Sequence, residues 1–116
     1  MIRRLLLACV AAAGAVLLIW WGISERPAAV AHAPATHTVI IEGMRFDPEV
    51  LTVNAGDTVV WLNKDMFPHT ATSTPGGFDS QPINASESWK HTFDKQGDFS
   101  YVCSLHPPMK ATVKVK

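Results

Sequence analysis

Between Leu5 and Ile23 the chain carries no charged residue, a run of 19 apolar or small side chains. Arg3 and Arg4 precede the run, and Ser24-Glu25-Arg26-Pro27 breaks it. A positive start followed by an apolar stretch is a secretory signal or a membrane anchor. The stretch exceeds the ~7–15 residues of a signal core and approaches the ~20 of a spanning helix. Trp20 and Trp21 stand near its outer end, where indoles favour the membrane interface. The two arginines hold the N-terminus in the cytoplasm, so everything after Ile23 is exported. Two fates follow. Cleavage after Ala33-Pro34-Ala35 leaves Thr36 as the first mature residue, or residues 5–23 stay as a hydrophobic helix and Pro27–Ala35 becomes a flexible tether. Residues 1–35 are thus a signal or anchor with an Ala/Pro-rich linker, and residues 36–116 are the folded domain.

An 81-residue domain buries a modest core and often needs a staple. Of the chain's two cysteines only Cys103 falls within it, so no internal disulfide can form, and a metal becomes the natural alternative. Its seven basic and nine acidic residues give a net charge of −2. That balance lacks the basic excess of a nucleic-acid binder. Short apolar runs separated by turn residues predict an antiparallel sandwich or barrel. The runs are His37–Glu42, Val50–Val53, Thr58–Asn63, His69–Ser73, Ser86–Phe93, Phe99–Cys103 and Ala111–Val115. Gly43, Asn54-Ala55-Gly56-Asp57, Pro75-Gly76-Gly77 and Lys95-Gln96-Gly97-Asp98 mark turns. Alternation puts Phe99, Tyr101 and Cys103 on one face, and Trp89, His91 and Phe93 on another. Two aromatics beside Cys103 mark its face as the inner one.

Cys103-Ser104-Leu105-His106-Pro107-Pro108-Met109 places a thiol, an imidazole and a thioether within seven residues. Thiolate and thioether together select copper over magnesium, calcium or manganese. Two histidines and a cysteine with a weak axial methionine form the blue-copper electron-transfer site. The second histidine must come from His37, His69 or His91. His69 is the best placed, in Phe67-Pro68-His69-Thr70, after a loop and at the start of a predicted strand. His37 and His91 read as structural histidines, and Met44 and Met66 as packing or surface residues. Pro107 and Pro108 stiffen the segment between His106 and Met109.

At these residues the sequence resembles the cupredoxins, in particular the amicyanin-like branch of the plastocyanin and azurin group. The resemblance spans nearly all of residues 36–116. It rests on Phe46-Asp47-Pro48, on Ala55-Gly56-Asp57-Thr58-Val59-Val60-Trp61-Leu62-Asn63, on Pro68-His69-Thr70, and on the stretch from Gly97 to Met109. The two-residue gap between His106 and Met109 matches the short loop of that branch. The resemblance implies an all-β Greek-key sandwich with one type 1 copper bound by His69, Cys103, His106 and Met109. It implies a monomer that is not an enzyme and that shuttles single electrons between transient partners, such as a dehydrogenase donor and a cytochrome acceptor. Many members have Asn after the first ligand histidine, where this chain has Thr70. The hydroxyl is expected to replace the amide only in part when it ties the two ligand loops together. The competing readings are a periplasmic copper-delivery protein using the same ligands and a thiol enzyme with Cys103 as nucleophile. The chain has no methionine-rich run to favour the former, and the predicted inward cysteine disfavours the latter.

Overall fold

The computed structural model describes residues 32–74 and 76–116. The signal or anchor segment therefore lies outside the described residues. Seven strands follow in order: β1 (Thr36–Ile41), β2 (Phe46–Asp47), β3 (Val50–Val53), β4 (Thr58–Asn63), β5 (Ser88–Thr92), β6 (Gly97–Cys103) and β7 (His106–Val115). They form two sheets, ordered β2-β1-β4-β5 and β3-β7-β6. The result is the expected all-β Greek-key sandwich. Two pairings are parallel, β1 with β4 and β3 with β7, and the other three are antiparallel. Each sheet is thus mixed, not purely antiparallel. Parallel neighbours need a long crossover, which alternation within single strands does not reveal.

Period-2 burial runs through both sheets. In β4, Val59, Trp61 and Asn63 are buried and the residues between them only partly so. Tyr101 and Cys103 face inward from β6, with Phe99 packed against the same core. Trp61 lies at the centre, with Phe78 at 5.3 Å, Trp89 at 5.5 Å and Tyr101 edge-on at 5.5 Å between ring centroids. Such pairs each add about 0.5–1.5 kcal/mol beyond the area they bury. His91 stacks on Trp89 at 5.7 Å and meets Phe93 edge-on. Burial pushes its imidazole below the ordinary value, with Asp94 pulling the other way. It is the structural histidine expected.

The segment His69–Ser73 departs from expectation, because it is not a strand. It makes isolated bridges instead, His69 with Ile83, and Thr72 with both Asp79 and Val102. Its five N–H groups go to five different places: Ile83 O, Cys103 Sγ, Ser80 Oγ, Val102 O and Phe78 O. His69, Thr70, Ala71, Thr72 and Ser73 are all buried in succession. A segment enclosed on every side must satisfy each backbone group locally, and here no single neighbouring strand does so. Other boundaries shift by less. The run from Ser86 starts later as β5, because Ser86 adopts φ 65°, which ends extended pairing. The last strand begins at His106, five residues before the predicted Ala111. β2 is a two-residue strand paired with Ile40 and Ile41, too short to give a periodic signal.

The end of the sandwich where β1 and β4 begin is closed by a buried carboxylate. Asp57 accepts the N–H groups of Ala35 and Asn54, at 2.9 and 3.0 Å, and lies 2.9 Å from His37 Nε2. The Ala35 N–H, then His37, then the Asn54 N–H hold its carboxyl far below the usual carboxylate range, against the opposing effect of burial. A depressed native pKa adds stability above the unfolded value of about 3.9, and that stability is lost as pH falls below it. Metal-free protein should lose thermal stability steeply below about pH 4, and Asp57→Asn should start less stable and fall less. Parallel melting-temperature profiles for the two proteins between neutral and acid pH would contradict this role.

Candidate metal centre

The opposite end of the sandwich, where β4 and β6 finish, gathers the residues singled out by their spacing. Cys103 closes β6 with its side chain fully buried, and His69 and Met109 are 1% and 4% exposed. His69 Nδ1 lies 3.7 Å from Cys103 Sγ. His106 opens β7 and is half-buried, next to exposed Leu105, Pro107 and Pro108. The structure thus brings His69 into contact with Cys103 and folds Met109 into the core. Among the described residues no group of three His, Cys, Asp or Glu side chains converges to metal-holding distance. His37 and His91 lie elsewhere, as expected.

Local sequence explains the placement. Asn63 is the last residue of β4, and alternation turns it inward, where it is completely buried. Its amide donates to the carbonyls of Phe67 and Ile83, at 2.7 and 2.9 Å, and its Oδ1 accepts the Asp65 N–H. One side chain therefore shapes the loop from β4 to His69. His69 and Ile83 then exchange backbone hydrogen bonds of 3.1 and 2.7 Å. Asp65 Oδ2 lies 2.8 Å from His69 Nε2. An ionised carboxylate only accepts, so Nε2 carries the ring proton and the Nδ1 lone pair faces the sulfur. The same carboxylate accepts the N–H groups of Gly43 and Met44, at 2.8 and 3.0 Å. Burial opposes its ionisation, but Met44, Gly43 and His69 together hold its carboxyl below the usual range.

The sequence singled out neither Asn63 nor Asp65. The signal for Asn63 was a polar residue on the Val59–Trp61 face of β4. The signal for Asp65 was an acid four residues before a candidate ligand, which means little until the loop's path is known.

Thr70 ties the two halves of the site together. Its N–H donates to Cys103 Sγ at 3.3 Å. Its Oγ1 accepts the Ser104 N–H at 2.8 Å and lies 3.0 Å from Ser104 Oγ and 2.9 Å from Thr72 Oγ1. The hydroxyl thus makes three contacts of its own, two of them to Ser104 on the other loop.

The donors fit a soft first-row ion. Bonds of about 2.0 Å to imidazole nitrogen and about 2.3 Å to thiolate, at a trigonal angle of roughly 120°, put nitrogen and sulfur about 3.7 Å apart. The observed Nδ1–Sγ distance is 3.7 Å. Imidazole, thiolate and thioether are donors suited to copper. A fully buried Cys103 offers no access to the substrate of a thiol enzyme.

The comparisons with known proteins agree with this geometry. Residues 34–116 match the family described as copper binding proteins, plastocyanin/azurin family. Amicyanin of Paracoccus versutus is 32% identical over 99 residues, covering 80% of this chain and 75% of its own. Amicyanin of Paracoccus denitrificans is 32% identical over 125 residues, covering 99% and 95%. Among solved structures, a Cu(I) amicyanin variant superposes with a TM-score of 0.67 at 27% identity, covering 70% of this chain and 82% of that one. A purple cupredoxin from Nitrosopumilus maritimus gives 0.65 at 29% identity, covering 69% and 99%. The chain belongs to the plastocyanin/azurin family of copper-binding proteins. Within it the chain is amicyanin-like, an electron carrier and not an enzyme.

Removing the Thr70 hydroxyl tests the link between the loops. Thr70→Val leaves the Ser104 N–H without its acceptor, which should cost about 1–3 kcal/mol of metal-free stability in denaturant unfolding. A loss below about 0.5 kcal/mol, the range of substitutions away from such features, would contradict it.

Proposed function

We propose that the chain is a periplasmic type 1 copper protein in which His69, Cys103, His106 and Met109 hold a single copper ion. The observation that carries this reading is the 3.7 Å approach of His69 Nδ1 to a fully buried Cys103 Sγ that already receives the Thr70 N–H. Bound copper would supply a one-electron couple, Cu(II)/Cu(I).

The chain's own residues supply the rest. Cys103 and His69 come from β6 and from the β4–β5 connection, where every N–H from His69 to Ser73 is satisfied, so neither donor can move without breaking several hydrogen bonds. Such rigidity limits the rearrangement that electron transfer would otherwise require. Met109, from β7, would supply the weak thioether donor that tunes the potential. His106, half-buried at the surface, is the port for electrons. Around this end Met66, Phe67 and Leu105 are 89%, 68% and 57% exposed. An apolar rim of this kind suits small, short-lived contacts with redox partners, for example a dehydrogenase donor and a cytochrome acceptor. Delivery of copper to a partner fits less well, because a handover needs accessible donors and Cys103, His69 and Met109 are buried. Residues 1–35 serve export, as a cleaved signal or as a tether through residues 5–23, and the domain acts as a monomer.

Adding Cu(II) to purified residues 32–116 should produce an intense visible copper–thiolate band. Cys103→Ser should abolish it, whereas Met109→Leu should keep the band and shift the reduction potential. A colourless product from the unaltered domain would refute the proposal.

A further inference from the structure

We infer that Asp65 is a positioning residue for the metal centre, one that fixes the His69 tautomer and lowers the reduction potential by favouring Cu(II). This rests on the copper reading above and adds to it a residue outside the ligand set.

Three features carry the inference. The first is contact: Asp65 Oδ2 is 2.8 Å from His69 Nε2, the ring nitrogen opposite the one that faces Cys103. A carboxylate there holds the proton on Nε2, sets the ring plane and makes Nδ1 a stronger donor. The second is enclosure. The Asp65 side chain is 14% exposed and that of His69 is 1% exposed, so water screens the pair weakly. A negative charge one imidazole away from the ion stabilises the more highly charged Cu(II) over Cu(I).

The third is that the chain builds a receptor for this carboxylate. Gly43 and Met44 adopt left-handed conformations in succession, with φ of 63° and 57°. Consecutive N–H groups turned this way form an anion-binding concavity. Both point at Asp65, one on each oxygen, at 2.8 and 3.0 Å. A left-handed methionine is uncommon, and the structure holds it in that conformation where its N–H meets the acid. Asn63 accepts the Asp65 N–H from the other side at 2.9 Å. Asp65 is thereby fixed from the β1–β2 loop and from β4 before any metal arrives. The oxygen that takes the Met44 N–H is also the one on the ligand ring, so one carboxylate joins the β1–β2 loop to His69.

The test is Asp65→Asn in the copper-loaded protein, which keeps an acceptor of the same shape and removes the charge. The visible band should persist. The Cu(II)-to-Cu(I) affinity ratio should fall about tenfold, read as a rise of about 59 mV in the one-electron midpoint potential. Asp65→Ala, which also frees the ring, should weaken Cu(II) binding about 10- to 100-fold. A metal-free measurement stands apart from copper: nitrogen-15 NMR of His69 at pH 8 should show the proton on Nε2 in the unaltered protein. An unchanged potential in Asp65→Asn with the band intact overturns the inference and leaves the copper reading standing. A His69 ring protonated on Nδ1 also overturns it. Absence of the band from the unaltered protein would instead refute the copper reading itself.

Discussion

The hydrogen bond from the Thr70 N–H to Cys103 Sγ, 3.3 Å long, joins the two parts of the chain that carry the candidate ligands His69 and Cys103. Cys103 ends a strand of one sheet, and Thr70 lies in the long connection between β4 and β5 of the other. The contact is buried, so each partner would lose it only at the cost of an unpaired group. Thr70 then doubles the link through its side chain, with its hydroxyl accepting the Ser104 N–H. Removing water from this corner makes both bonds stronger and any gap in them more costly. The candidate metal centre is therefore organised by the backbone of the sandwich and not only by the side chains proposed as ligands.

Around that contact the structure is layered in function. The aromatic centre at Trp61 supplies the packing that keeps both sheets in register. Asn63, two residues on, converts the end of β4 into a shaped loop. Asp65 and His69 follow on that loop, and the exposed Met66 and Phe67 lie between them. A single stretch from Trp61 to Thr70 thus runs from the core, through the supporting hydrogen bonds, past the apolar rim and into the site. At the far end of the sandwich Asp57 performs a purely structural version of the same task, gathering Ala35, His37 and Asn54 onto one buried carboxylate.

The sequence made the strands and the donor chemistry legible, and left the supporting hydrogen bonds hidden. Val59, Trp61, Tyr101 and Cys103 follow simple alternation, so their inward placement could be read directly. The Cys103, His106 and Met109 spacing pointed to copper because soft donors so close together have few other uses. The segment from His69 misled, since its composition is that of a strand while its N–H groups go to five different partners, not to the successive residues of one strand. The parallel pairing of β1 with β4 was hidden for the same reason: it depends on contacts between remote residues. Asp65 was invisible as a site residue until the left-handed Gly43 and Met44 showed where its carboxylate is held. His106 remains the least constrained of the four expected ligands, at the start of β7 and half-exposed, which suits a group that faces a partner.

The central claim is that the rigid pair of His69 and Cys103 is already set for copper. A crystal structure of the copper-loaded domain tests it most directly. The account predicts one copper bonded to Cys103 Sγ and His69 Nδ1, joined by His106 and Met109, with the Thr70 N–H still on the sulfur and Asp65 still on His69 Nε2. Copper bound elsewhere, or through His69 Nε2 after displacement of Asp65, would contradict it.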